Sequence, residues 1–172
     1  NVKAGSFLKS TNTSVPVSQA VTGSNFTPSV VLLSSIQDVV QASPVAETRF
    51  DLGAASATAE GSSAVADADL ANPTSTQGID KTSKAFVKVN NATSTINAEA
   101  DLASMDDDGF TLSWTTNDAV ATQILYLALA SVQPTFKAAG NAVSGTGAVS
   151  PAWPAHAVDD LALLFVESAG GQ

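Results

Sequence analysis

Apolar residues in this chain recur at period two in short runs, and no segment sustains the three-to-four spacing of an amphipathic helix. The clearest run is Gly109-Phe110-Thr111-Leu112-Ser113-Trp114, entered through the turn-forming Asp106-Asp107-Asp108. A second turn at Thr116-Asn117-Asp118 then reverses the chain into Gln123-Ile124-Leu125-Tyr126-Leu127-Ala128-Leu129, which makes the stretch a hairpin and the closing strand pair of an all-β domain. Upstream, Val2–Leu8 predicts a strand with Val2, Ala4, Ser6 and Leu8 on one face, and residues 10–14 a polar turn. Val15, Val17 and Gln19 alternate against Pro16, Ser18 and Ala20, and Pro16 confines that run to a sheet edge. After a turn at Gly23-Ser24-Asn25, the unbroken apolar run at residues 29–34 predicts a central strand covered on both faces.

Residues 37–44 fit either a short helical turn or a loop. Residues 48–53 resume strand character with Phe50 and Leu52 expected inward, and the Ala- and Ser-rich segments that follow to Ala68 carry only a weak period. Residues 70–84, with Pro73 and Gly78, predict the longest loop of this module. Residues 85–89 and 94–102 predict two more strands, reversed at Asn90-Asn91. The total is eight or nine short strands, the signature of an antiparallel β-sandwich or jelly roll over residues 1–131. A Gly- and Ser-rich linker is expected at 132–150. Residues 151–172 read as the start of a second β module, whose strand Leu161, Ala162, Leu163, Leu164, Phe165 and Val166 cannot bury itself. It is the expected subunit-docking strand, to be covered by the first module, a neighbouring subunit or further chain.

Composition narrows the function classes. The chain has 172 residues, seven Lys plus Arg against sixteen Asp plus Glu, and a net charge of −9, which argues against a phosphate backbone as partner. Apart from Asp106 to Asp108 the acids are scattered and read as solvating charge. There is no Cys, hence no disulfide framework and no thiolate metal site. No run reaches the ~18 apolar residues of a membrane span, so insertion into a membrane is not expected. The chain begins at Asn1 with neither Met nor a signal peptide, and residues preceding it are expected to have been removed or to lie outside this sequence.

Few residues are candidates for chemistry. His156 is the only histidine, and although Asp159 and Asp160 follow it, no Gly-x-Ser-x-Gly nucleophile motif occurs, so it reads as a surface or packing residue. Ser104 to Gly109 partly matches a calcium loop, but Ser104 would hold the first ligand position and Thr115 would replace the closing Glu, so an Asp-Gly turn is the better reading. Glu99 and Asp101 share a strand face and could in principle pair with Asp106 as glycosidase carboxylates, but a solvated strand face is the better reading. Trp114 shares a face with Phe110 and Leu112 and is expected in the core, whereas Trp153, among prolines, is the candidate for stacking on a sugar. The sequons at Asn12, Asn25 and Asn91 are chance matches in a Ser- and Thr-rich chain. No enzyme activity, metal or cofactor is expected.

Two pieces of the chain carry a resemblance. Residues 2–11, Gln19 to Gly23, Phe26-Thr27-Pro28, Asp108 to Trp114 and Tyr126 to Leu129 resemble one β module of tailed-bacteriophage virion structural proteins. Gly145-Thr146-Gly147, Trp153-Pro154-Ala155 and Asp160 to Ser168 resemble the opening of a second. The resemblance implies a non-enzymatic viral protein located on the virion, as a tail or fibre component or a capsid decoration, assembling as a homo-oligomer or with other virion proteins. The alternative expectation is an adhesin module that binds a host-surface glycan through Trp153, Tyr126 or loop Asp and Asn residues. No catalytic or ligand residue is carried over from the family.

Overall fold

The computed structural model describes residues 1–36, 48–68, 75–90, 93 and 95–130, all within a compact unit spanning Asn1–Phe136. The described chain is all-β, with two antiparallel sheets packed as a sandwich. Its ten strands are β1 (Val2–Leu8), β2 (Val17–Thr22), β3 (Val30–Ile36), β4 (Arg49–Ser56), β5 (Ala59–Ala68), β6 (Ser75–Lys81), β7 (Phe86–Val89), β8 (Ile96–Asp106), β9 (Gly109–Thr116) and β10 (Gln123–Leu129). One sheet has the order β1-β10-β3-β4-β5-β6 and the other β2-β9-β8-β7. Residues 37–44, expected to form a short helical turn or a loop, lie outside the described residues, as do the linker and second module.

Two tight hairpins anchor the strand order. Asp106 pairs with Gly109 across Asp107-Asp108, and Ser56 pairs with Ala59 across Ala57-Thr58. At Gly109 φ is +153°, and a Cβ there would sit 1.9 Å from the Val21 carbonyl oxygen, so only glycine fits where β2 crosses the hairpin base. β2 is an edge strand, as Pro16 just ahead of it predicts. The reversal after β7 is wider than an Asn-Asn turn: Val89 pairs with Ile96, the Asn90 amide donates to the Thr95 carbonyl at 2.9 Å, and the Thr93 amide to Asn90 Oδ1 at 2.9 Å.

Three expectations are corrected. The turn at Thr116 to Asp118 does not close a hairpin, because β9 and β10 lie in different sheets and this segment carries the chain across the sandwich. Residues 70–84 are not one loop, since Ser75–Lys81 forms β6 and pairs with β5 in register Ser62↔Lys81 to Ala68↔Ser75. Phe50 and Leu52 face outward, with Arg49, Asp51 and Ala55 buried on the inner side. Gly53 explains that parity: a Cβ on it would lie 1.9 Å from the Ala85 carbonyl oxygen and 3.1 Å from its carbon, so β4 meets the opposite sheet backbone to backbone. The strand face that carries the glycine must therefore be the inner one, which brings Asp51 inside, where the Ser35 hydroxyl donates to it at 2.6 Å.

The core combines alternate residues of both sheets. Val31 and Leu33 of β3, Ile124, Tyr126 and Ala128 of β10 and Ala55 of β4 meet Val21, Phe86, Phe110, Leu112 and Trp114. Trp114 is 0% exposed, as its period-two position predicts. It packs edge-on against Phe86 with centroids 5.9 Å apart, and Phe110 packs likewise against Tyr126 at 5.6 Å. A second cluster joins Ala64 and Ala66 of β5 to Val87 and Val89, which leaves β7 covered on both faces.

Candidate functional site

The outer face of the six-stranded sheet is the most unusual surface of the described residues. Outward positions of β1, β10, β3 and β4 form continuous rows: Ala4 lies beside Leu127, Leu127 beside Leu32 and Leu32 beside Ala54. Next to them, Val2 pairs with Leu129, Leu129 with Val30 and Ile36 with Phe50. Leu52 and Val65 extend the patch toward β5. Val2 (69%), Ile36 (61%), Leu8 (58%) and Leu125 (56%) are strongly exposed, and Leu32, Leu127, Leu129, Phe50 and Leu52 are half-buried by one another. The outward positions of these four strands hold no charged side chain, and on the adjoining strands of the sheet Asp67 of β5 and Asp80 of β6 take outward positions. The apolar runs in β3 and β10 were legible, but not as strands buried on both faces. Their inner halves form the core while their outer halves are open.

Polar groups close one end of the sandwich. Lys9 follows β1 and is buried against the Trp114 ring, its ammonium 5.6 Å from the ring centroid. Its Nζ donates to the carbonyls of Ser10 and Asp118, both at 2.9 Å, and to Asn117 Oδ1 at 2.5 Å, and it pairs with Asp118 Oδ1 at 2.8 Å. Lys88 of β7 approaches from the other sheet, donating to Asp118 Oδ2 at 3.0 Å and to Thr122 Oγ1 at 2.9 Å. Burial alone would push the Asp118 carboxyl up, but hydrogen bonds and charge from the two ammoniums outweigh it and hold the group below its ordinary value. This clasp is why the chain leaves β9 at Thr116 and crosses over: Asn117 and Asp118 are committed to lysines from two different strands.

The candidate carboxylates are separate structural devices rather than one centre. Asp108 accepts from the amides of Gly23 (3.1 Å) and Asn25 (2.6 Å), fixing the turn after β2 to the β8–β9 hairpin. Asp106 accepts from the hydroxyls of Ser104 and Thr111, both at 2.7 Å, and these bonds lower its pKa. Asp101 pairs with Lys84 at 2.7 Å, and Glu99 lies 3.5 Å from the Lys81 ammonium. Among the described residues no cluster of three or more His, Cys, Asp or Glu is placed to hold a metal ion. Glu60, which the sequence pattern did not single out, is different: burial above all, together with the adjacent Asp101 carboxylate, raises its pKa despite the Leu102 amide donating to it at 2.8 Å. It borders an open groove of about 320 Å³ between the β4–β5 hairpin and β8, lined also by Ser56, Thr58 and Ser104.

Of the sugar-contact candidates, Tyr126 is 8% exposed and packs in the core against Phe7 and Phe110, so its ring is not available for stacking. Trp153, the docking strand Leu161, Leu163, Leu164, Phe165 and Val166, and His156 lie outside the described residues. Among the described residues no helix is long and apolar enough to cross a membrane. No family model, curated protein or solved structure matches the chain.

Proposed function

We propose that the protein is a non-enzymatic structural protein of a tailed-phage particle, exposed on the virion as a tail or fibre component or a capsid decoration, and acting through subunit contacts. The observation that carries this reading is the uncharged, largely apolar outer face of β1, β10, β3 and β4. An antiparallel sheet in a sandwich ordinarily presents a polar face to water, and a continuous apolar one marks an interaction surface. Many weak contacts between copies on a particle would reinforce one another by avidity. Immunogold electron microscopy of particles from the source, with antibody to this chain, tests the reading. Gold over tails or over heads is the expected result and selects between the two placements, while unlabelled particles overturn it.

A glycan-binding role is the second reading, favoured by the open groove whose hydroxyls and carboxyl (Ser56, Thr58, Ser104, Glu60) offer donors and acceptors at one sandwich end. A glycan array in the presence of calcium is expected to show binders if this is right; an array without them removes it.

A further inference from the structure

We propose that the outer face of β1, β10, β3 and β4 is a self-association surface, covered in solution by the same face of a second copy of this chain. The inference deepens the assembly reading above and rests on it for its biological setting, although its physical basis is independent.

Three observations select a second copy as the occupant. The first is electrostatic: a chain of net charge −9 resists meeting itself wherever its carboxylates lie, and these four strands present none outward. Two copies stacked here hold their charges at the rim and away from each other. The second is size. Four strands at a spacing of ~4.8 Å and strand lengths near seven residues at ~3.4 Å span a footprint of roughly 19 by 24 Å, on the order of 460 Å², before side-chain relief is added. Standard interfaces bury about 800 Å² per partner and transient ones less, so a face of this size suits a reversible dimer rather than a permanent one. The third is shape. The row Ala4-Leu127-Leu32-Ala54 sets a central pair of large side chains between small ones, and Val2-Leu129-Val30 rises to its centre in the same way, a relief of ridge and flank into which an offset, twofold-related copy fits as the two inner faces of a sandwich do. The same patch meeting itself about a twofold axis closes the assembly as a dimer and leaves the β2 and β7 edges and the polar groove free for other contacts.

The full chain is suited to a clean test because it has no cysteine. Sedimentation velocity from low to high micromolar concentration is expected to show a monomer–dimer equilibrium for the natural sequence. Leu125→Glu, a substitution at an exposed position, is expected to give monomer throughout with unchanged circular dichroism; Leu8→Glu at the exposed sheet edge is the substitute should that variant misfold. In a Ser34→Cys variant, whose thiol lies beside Leu125 in the patch, maleimide labelling is expected to slow as the dimer forms. A monomer whose thiol labels freely at high concentration overturns the proposal. So does a monomer whose thiol is protected, which would assign the cover to a segment of the chain itself such as Leu161 to Val166. A dimer that survives both charge substitutions also overturns it. A monomer found on labelled virions would sink the interface alone, and a face-to-face dimer absent from every particle would sink the virion reading alone.

Discussion

Asp118 is the residue on which two strands and two sheets depend. Lys9 and Lys88 are both buried beside it, and each carries a charge whose desolvation is offset by that carboxylate. Asp118→Asn should therefore cost about 3 kcal/mol in urea unfolding at pH 7, the low end for a broken buried pair, because 21% of the Asp118 side chain still meets water. The pH dependence follows from the direction of the shift. A carboxyl whose folded pKa lies below its unfolded value stabilises the fold above the ordinary carboxylate range, and that stabilisation is lost as pH falls through the lower, folded value. The stability gap between the natural sequence and Asp118→Asn should thus close in acid. Glu60 works with the opposite sign: its raised pKa means that the ionised form strains the fold at neutral pH and that protonation relieves it. Glu60→Gln keeps an acceptor for the Leu102 amide, so it should raise the melting temperature at pH 7, with the gain disappearing once pH falls below the ordinary carboxylate range. Equal melting temperatures at pH 7 would show that the carboxyl is not under strain.

At the scale of elements, β4 and β9 show what a sequence pattern can and cannot convey. The face of β9 was legible because Phe110, Leu112 and Trp114 alternate with Thr and Ser, and all three are fully buried or nearly so. Trp114→Ala should cost about 3–5 kcal/mol by chemical denaturation, since the cavity would be walled by Phe86 and by the stem of Lys9. For β4 the same alternation gave the wrong parity. Hydrophobicity favoured Phe50 and Leu52 inside, but what decides the strand is the volume available at Gly53, a tertiary contact with Ala85 that no local pattern encodes. Gly53→Ala should accordingly destabilise by about 2–3 kcal/mol or abolish folding, whereas the same change at Gly61, where only the Lys81 carbonyl lies near at 3.6 Å, should be close to neutral. β6 escaped notice for a different reason. Apart from Gly78 and Ile79 its residues are polar, and the strand exists because β5 offers a ladder to pair with and Ile79 packs on the cluster formed with β7. The β9–β10 reversal misled because Asn and Asp are turn formers, and here the same side chains bind lysines from other strands.

For the molecule as a whole, charge and apolar surface are segregated among the described residues: the chain carries sixteen acids and seven bases, yet the outward positions of β1, β10, β3 and β4 hold neither. This predicts the salt dependence of self-association. An interface built on ion pairs loosens as salt is added, because screening removes the attraction that holds it. In the arrangement inferred here, the contact is apolar and the only long-range electrostatic force is repulsion between two copies of charge −9. Raising ionic strength from about 0.01 M to 0.1 M shortens the screening length from ~30 Å to ~10 Å, which shields carboxylates at the rim but leaves the buried contact unchanged. The dimer dissociation constant should then tighten several-fold across that range in sedimentation equilibrium, with sulfate more effective than chloride because it also strengthens apolar burial. Leu125→Glu would place an acid inside the contact, and no amount of screening should restore its dimer to the natural strength, because the cost is desolvation of a buried charge. A dissociation constant that weakens with salt would point instead to a charged surface elsewhere on the chain as the site of contact.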